Sequence, residues 1–343
     1  MPAPVCLIVN PAAGGGKAAR VAPVAERELR GHGLEVRRVD TRDLDHARAL
    51  ATGAARDRQT VVTVGGDGLI GASADALRHV PGAILGVIPG GRGNDLARVL
   101  GIPEDPASAA AIIAAGHARK LDLGLVEGEP QPPGGGRAPV GGGAPARGSA
   151  GQGQAFVGIA SAGFDSDANR IANEAPSWLG GLVYAYGALR ALAAWRPARL
   201  DIELVGAEGD RPERHSFSAF TVGACNSKAY GGGMLAAPGA LLDDGLLDVV
   251  VLESTSKFAF LTRILPKVFK GTHVLEPRVH VFRARELRLT ADRSFTMYAD
   301  GDPIAELPVR VRALQGAVSV LVPAKPSPAF ASTPRPGASV AES

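Results

Sequence analysis

The stretch Val61–Gly68, VVTVGGDG, constrains the fold of this chain more than any other. Val61, Val62, Thr63 and Val64 form a β-branched run that reads as a buried parallel strand. It empties into Gly65, Gly66, Asp67 and Gly68, and Leu69–Leu77 continues with helical spacing. Glycines there permit φ > 0 and leave the backbone open to a ligand, with one carboxylate among them. A phosphate at such a turn meets exposed backbone N–H groups and a helix N-terminus. An ordinary tight turn between strand and helix explains the same pattern when it stands alone.

The flanking sequence repeats this plan. Val5–Val9, Leu34–Val39 and Ile84–Ile88 read as further strands, with helices over Lys17–Arg30 and Leu44–Ala55. Short apolar strands alternating with helices predict an α/β domain with a parallel sheet covered on both faces. Ligands of such sheets bind beyond the C-terminal strand ends. Asn10–Gly16, Gly65–Gly68 and Pro89–Gly93 all arrive there, so the domain reads as nucleotide-binding. With 45 glycines in the chain, turns alone are the competing explanation. Neither Asn10–Gly16 nor Gly65–Gly68 has P-loop spacing. Lys17, after Gly16, reads either as a phosphate contact or as a solvated side chain.

Beyond a helix containing Ala109, Ile112 and Ile113, Lys120–Val126 reads as a strand crossing to a second domain. Glu127–Gly153 is dominated by Gly, Pro and Ala and reads as a flexible excursion within a hairpin. Strands follow at Ala155–Ser161, Arg199–Val205, Ser216–Cys225, Leu246–Leu252, Arg278–Phe282, Glu286–Leu289, Phe295–Tyr298 and Val309–Ala313, with a helix over Leu179–Trp195. Their spacing predicts a β-rich, sandwich-like second domain. The expected division is 1–125, joined by 315–323 through the strand Val318–Val322, then 126–314 with the insertion 127–153, and a disordered tail at 324–343.

Two acidic clusters stand out in the second half. Asp243, Asp244 and Asp248 flank a glycine turn, which reads as an oxygen-rich Mg²⁺ loop or as an Asx-type turn. Asp300 and Asp302 follow a strand end. Ser256–Lys270 combines Phe258, Phe260, Leu261, Ile264, Leu265, Val268 and Phe269 with Lys257, Arg263, Lys267 and Lys270. It reads as a basic amphipathic helix divided at Pro266, either packed on the core or touching a membrane.

Lys and Arg exceed the acidic residues by only three, 37 against 34, and no basic arm interleaved with aromatics predicts a nucleic-acid partner. Cys6 and Cys225 lie in apolar runs and read as free, buried thiols in a reducing compartment. No signal segment or transmembrane span is expected, so the location read from sequence is cytoplasmic, with peripheral contact at the inner face of a membrane. Self-association to a homodimer is left open.

Asn10-Pro11 with Gly14–Gly16, GGDG at Gly65–Gly68 and PGGRGNDLA at Pro89–Ala97 are followed by YGGGM at Tyr230–Met234 and DDGLLDV at Asp243–Val249. GTH at Gly271–His273 and ADGD at Ala299–Asp302 complete the series. In this order, from residue 5 to about residue 323, the blocks resemble the diacylglycerol kinase catalytic domain family, which includes bacterial lipid kinases and the sphingosine and ceramide kinases. GGDG is shared with NAD kinases; the later blocks favour the lipid kinases.

The resemblance implies ATP-dependent phosphorylation of a lipid hydroxyl, with diacylglycerol converted to phosphatidic acid as the reading adopted. It implies nucleotide contacts at Asn10, Thr41, Gly65, Gly66, Asp67, Gly68, Gly91, Arg92 and Asn94. Mg²⁺ would lie near Asp67, with a structural site at Asp244 and the carbonyls of Leu241 and Leu246. Asp300 takes the base role and Asp302 supports it. Departures from the family pattern are Leu69 and Gly71 for Thr and Asn, Arg92 for Thr, and Asp302 for Glu. NAD kinase, a sphingoid or ceramide kinase, and a catalytically silent lipid or nucleotide sensor are the alternatives.

Overall fold

The computed structural model describes residues 3–129, 153–164, 166, 171, 190–206, 211–325 and 327–330. The chain divides into two units. The first comprises Met1–Leu123, Ala240–Gly245 and Leu314–Ser343, and the second Gly124–Gly239 and Leu246–Ala313.

In the first unit, β1 (Val5–Val9), β2 (Val36–Asp40), β3 (Thr60–Gly65) and β4 (Ile84–Pro89) form a parallel sheet in the order β2-β1-β3-β4. The last strand, β17 (Val309–Leu321), continues it by pairing Ser319 and Val320 in parallel with Ile84 and Leu85. Every residue of β1 is buried, as a strand covered on both faces requires. Helices α1 (Ala13–Gly31), α2 (Leu44–Arg56), α3 (Asp67–Leu77), α4 (Asp95–Leu100) and α5 (Pro106–Ala115) connect the strands or follow them. Alanines at 18, 22 and 25 with Leu29 form the buried stripe of α1. Gly14, Gly15 and Gly16 have φ of 62°, 64° and 87°, so its regular turns begin at Lys17, where the sequence places them.

Two segments depart from the sequence reading. Ala240–Gly245 belongs with the first unit, because β5 (Ala118–Gly128) carries Asp122 beneath it. The Asp122 N–H donates to the Leu242 carbonyl, and its carboxylate accepts from the N–H groups of Gly245 and Gly316, both at 2.6 Å. The tail, expected to be disordered from 324, packs as far as Phe330. Ala329 and Phe330 are buried, and the Arg119 guanidinium lies 4.6 Å from the Phe330 ring centroid. An apolar pair among Pro, Ser and Ala was enough to seat that turn.

In the second unit β5 pairs antiparallel with β6 (Gln154–Phe156), which gives the hairpin around the glycine-rich stretch; residues 130–152 of that stretch lie outside the described residues. The remaining strands are β7 (Ile159–Gly163), β8 (Ala198–Val205), β9 (Glu213–Cys225), β10 (Ala229–Tyr230), β11 (Met234–Leu235), β12 (Leu247–Glu253), β13 (Val279–Ala284), β14 (Glu286–Ala291), β15 (Thr296–Ala299) and β16 (Asp302–Glu306). Strand β9 changes partners along its length. Its first part pairs with β8, and beyond Ala219 it pairs with β7 and β12. A strand shared in this way lets two sheet layers form from one ladder. Of the expected helix Leu179–Trp195, only Arg190–Ala194 is described as helix, and 179–189 lies outside the described residues.

Three sequence expectations for strands are corrected. Ala155–Ser161 is two strands, not one, broken at Val157-Gly158. Val309–Ala313 and Val318–Val322 are one continuous strand. Asp302, placed by the sequence on the turn after a strand end, begins a further strand, Asp302–Glu306, paired with β15.

Candidate active site

The C-terminal ends of β1, β3 and β4 place three glycine loops of the first unit side by side. The Asn10 N–H donates to the Val64 carbonyl, the Gly90 N–H to the Gly65 carbonyl, and the Thr41 N–H to the Val9 carbonyl. These backbone bonds draw the sequence-predicted residues Asn10, Thr41, Gly65, Gly66, Gly91 and Asn94 onto one edge of the sheet. The loops then touch backbone to backbone. A Cβ on Gly91 would lie 2.4 Å from the Gly66 Cα, and one on Gly14 would lie 2.6 Å from the Gly90 oxygen. The need for glycine at 65, 66 and 68 is thus not a positive φ, which none of the three has. At 65 and 66 it is close approach, to the Leu69 side chain and to Gly91 respectively.

Asp67 has a specific structural job. Its Oδ1 accepts from the Leu96 N–H at 3.0 Å and its Oδ2 from the Asp95 N–H at 3.1 Å, so it caps α4 from the N-terminus of α3. A negative charge there suits the dipole of α4. Asn94 closes the same arrangement. Buried to 2% exposure, with φ of 51°, it accepts from the Gly91 N–H and donates to the Gly91 carbonyl, fixing the loop. Asn tolerates that left-handed conformation better than most residues.

Leu69, standing where the resembling family has Thr, is buried against Gly65. It fills core space and adds no polar contact. Gly71 is buried in the middle of α3. Arg92 is exposed on the loop, its guanidinium about as far from the Gly15 position as van der Waals contact allows, at 3.9 Å. Arg20 stands at 3.8 Å from the Gly16 position, a cation the sequence reading missed. Its only signal was helical spacing, one turn beyond the glycines. Lys17 instead pairs with Glu104 at 2.8 Å. Thr41 is buried, with its hydroxyl donating to the Asp43 carbonyl.

Among the three aspartates of the DDGLLDV block, Asp243 pairs with Arg119 and Asp248 with Arg283. Asp244 is half-buried on the turn that Asp122 holds from below. Burial pushes the Asp122 carboxyl above its usual range, opposed by its bonds to Gly316 and Gly245. Leu241 and Asp244 lie in the first unit, and Leu246 opens the following segment of the second. No cluster of three or more His, Cys, Asp or Glu side chains suited to a metal occurs among the described residues. One carboxylate with backbone carbonyls remains a donor set that fits Mg²⁺, which takes few protein ligands and keeps its waters.

In the second unit Asp300 turns back on the break between β6 and β7. Its Oδ2 accepts from the Val157 N–H at 2.8 Å, and its Oδ1 from Gly158 and Ile159 at 2.9 and 3.2 Å. Its own N–H donates to the Ile159 carbonyl, and its φ is 50°. A Cβ on Gly158 would lie 2.5 Å from the Asp300 Oδ1, so only glycine admits the carboxylate. The Gly158 carbonyl accepts from the N–H groups of Asn226 and Ser227, both buried at the end of β9 and not singled out in the sequence. Asp302 begins β16, its register partner being Ala299.

Residues 4–126 match the diacylglycerol kinase catalytic domain, and residues 158–322 match the YegS C-terminal NAD kinase beta sandwich-like domain. The chain is 32% identical over 323 residues to a diacylglycerol kinase of Mycobacterium tuberculosis, covering 93% of this chain and 95% of that one. The chain belongs to the diacylglycerol kinase and YegS family of lipid kinases. A diacylglycerol kinase of Bacillus subtilis is a more distant member, 27% identical over 81% of this chain and 82% of its own. The family fold appears in a crystal structure of a Bacillus anthracis diacylglycerol kinase, with a TM-score of 0.67 at 21% identity, covering 94% of this chain and 97% of that one. In family terms the chain pairs an N-terminal mixed α/β domain with a C-terminal β-rich, sandwich-like one. No helix among the described residues is long and apolar enough to cross a membrane.

Proposed function

We propose that this protein transfers the γ-phosphoryl group of ATP to a lipid hydroxyl, with diacylglycerol as the acceptor and phosphatidic acid as the product. The observation that carries this reading is the Asp300 carboxylate, fixed by three backbone N–H groups at the break between β6 and β7. A carboxylate fixed in this way is a candidate proton acceptor for an attacking hydroxyl. The acceptor oxygen bonds to phosphorus, the bond from phosphorus to the leaving oxygen breaks, and the hydroxyl proton passes to Asp300. Asp302 supports that carboxylate.

The interlocked glycine loops support the nucleotide side of the reading. They present backbone N–H groups, including those of Asp67 and Gly68 at the start of α3, while the Leu69 and Ile70 N–H groups donate to the Gly66 carbonyl. Gly65, Gly66, Gly68 and Gly91 would cradle the phosphates, with Asn10 and Thr41 at the loop edges. Asp67 and Asn94 hold the cradle's shape, and Arg92 replaces a hydroxyl with a cation suited to phosphate oxygens. Asp67 would hold Mg²⁺ on the nucleotide side, where it would supply charge neutralisation, and Asp244 with the Leu241 and Leu246 carbonyls would hold it at a structural site.

The test is phosphatidic acid formation from diacylglycerol in mixed micelles, with and without Mg²⁺. Product dependent on both ATP and the metal supports the proposal. Saturable ATP binding without turnover on any lipid would favour a silent sensor instead.

A further inference from the structure

The large hydrophobic side chains exposed among the described residues all fall between Phe258 and Val281. Phe258 is 77% exposed, Phe269 57% and Leu275 81%, with Leu261 and Val281 also exposed. The stretch is not loose. Phe260 is buried, with its ring 5.2 Å from those of Phe164 and Phe220, and Ile264 and His273 are buried as well. Pro266 forces a π-turn over Phe260–Ile264 between two short α-helical pieces, because proline cannot supply the N–H of a regular helix. Core packing and solvent-facing apolar side chains therefore coexist on one seated element.

Its charge is one-sided. Residues 256–275 hold Lys257, Arg263, Lys267 and Lys270 and no carboxylate. Among the described residues Glu276 answers two of them, bonding Arg263 at 2.7 Å and also Lys267, while Lys257 donates to the Ala193 carbonyl. Lys270 has no acidic partner among the described residues and is exposed beside Phe269.

We infer that the Lys257–Leu275 surface docks the protein on an anionic membrane, its aromatic and leucine side chains entering the interface and its cations meeting lipid headgroups. Apolar side chains flanked by four cations against one carboxylate match a negatively charged bilayer face better than another protein surface. The role it would serve, bringing the enzyme to a lipid-borne hydroxyl, rests on the lipid-kinase reading; the docking itself does not.

The test is sedimentation of the full chain with vesicles of phosphatidylcholine alone and with about one third phosphatidylglycerol. Binding is expected to require phosphatidylglycerol. It should weaken by about an order of magnitude in Lys270→Glu and at least as much in the combined Phe258→Ser, Phe269→Ser, Leu275→Ser variant. These side chains are solvent-exposed, so an unchanged thermal melt accompanies the loss. Equal sedimentation of the variants, or no dependence on the anionic lipid, would overturn the inference. So would gel filtration showing a dimer that the triple variant dissociates. Vesicle binding without turnover on any lipid would leave the inference standing and count only against the lipid-kinase reading.

Discussion

Replacing Asp300 by Asn exchanges a carboxylate that accepts three backbone N–H bonds for an amide with one oxygen. In the less costly orientation the oxygen keeps Gly158 and Ile159, and the new NH₂ group faces the Val157 N–H, now at 2.8 Å from the acceptor. One charge-assisted bond is lost and a donor is set against a donor, which costs about 2–4 kcal/mol. Against a domain stability of roughly 5–15 kcal/mol the fold survives. The φ of 50° is no obstacle to Asn. The melting temperature should fall by roughly 5–15 °C, at about 2–4 °C per kcal/mol for a unit of this size. Activity should fall further, by roughly 10²-fold or more, the scale of a positioned general base. The assay is kcat on the lipid acceptor at a temperature well below both melting transitions, with ATP binding measured separately. Near-normal kcat would refute the catalytic assignment, and an unshifted melt would refute the hydrogen-bond geometry. Gly158→Ala is the companion: it keeps the carboxylate but displaces it, so kcat should drop while ATP binding holds.

Further outcomes follow from the same contacts. Gly91→Ala must push the loop off Gly66, and the ATP KM should rise several-fold with less change in kcat; an unaltered KM would separate that contact from nucleotide binding. Arg92→Ala should raise the ATP KM and leave the melt unchanged, since its guanidinium has no carboxylate partner among the described residues. The Arg310 bond and the nearby Arg288 hold Glu286 below its ordinary pKa of 4.5. Its contribution to stability is therefore complete above that pH and lost as pH falls through the lower folded value. Thermal melts across that range should show the loss, and Glu286→Gln should flatten it.

Much of the first unit was legible because its signals are local. Val5–Val9 and Val61–Val64 are unbroken apolar runs, and the glycines that follow must sit at strand ends. The reason for those glycines was not local. Gly66 and Gly91 meet only when β3 and β4 pair, so a positive φ was the natural but mistaken reading. Asp67, read as the nucleotide-metal carboxylate, also caps a helix nearly thirty residues further on, a partnership no short motif encodes. Asp122 was passed over because a lone acid between leucines looks like the polar face of a strand. In the second unit the break at Val157-Gly158 was hidden inside an apolar run, since its cause, Asp300, is far along the chain. Ser327–Phe330 was lost in a composition that suggests disorder.

The most direct measurement incubates the purified protein and Mg²⁺ with γ-labelled ATP, in parallel with a total lipid extract and with NAD, and identifies the labelled product. The account predicts label in a phospholipid that co-migrates with phosphatidic acid, and none in the nucleotide reaction. Label appearing only in NADP would contradict it.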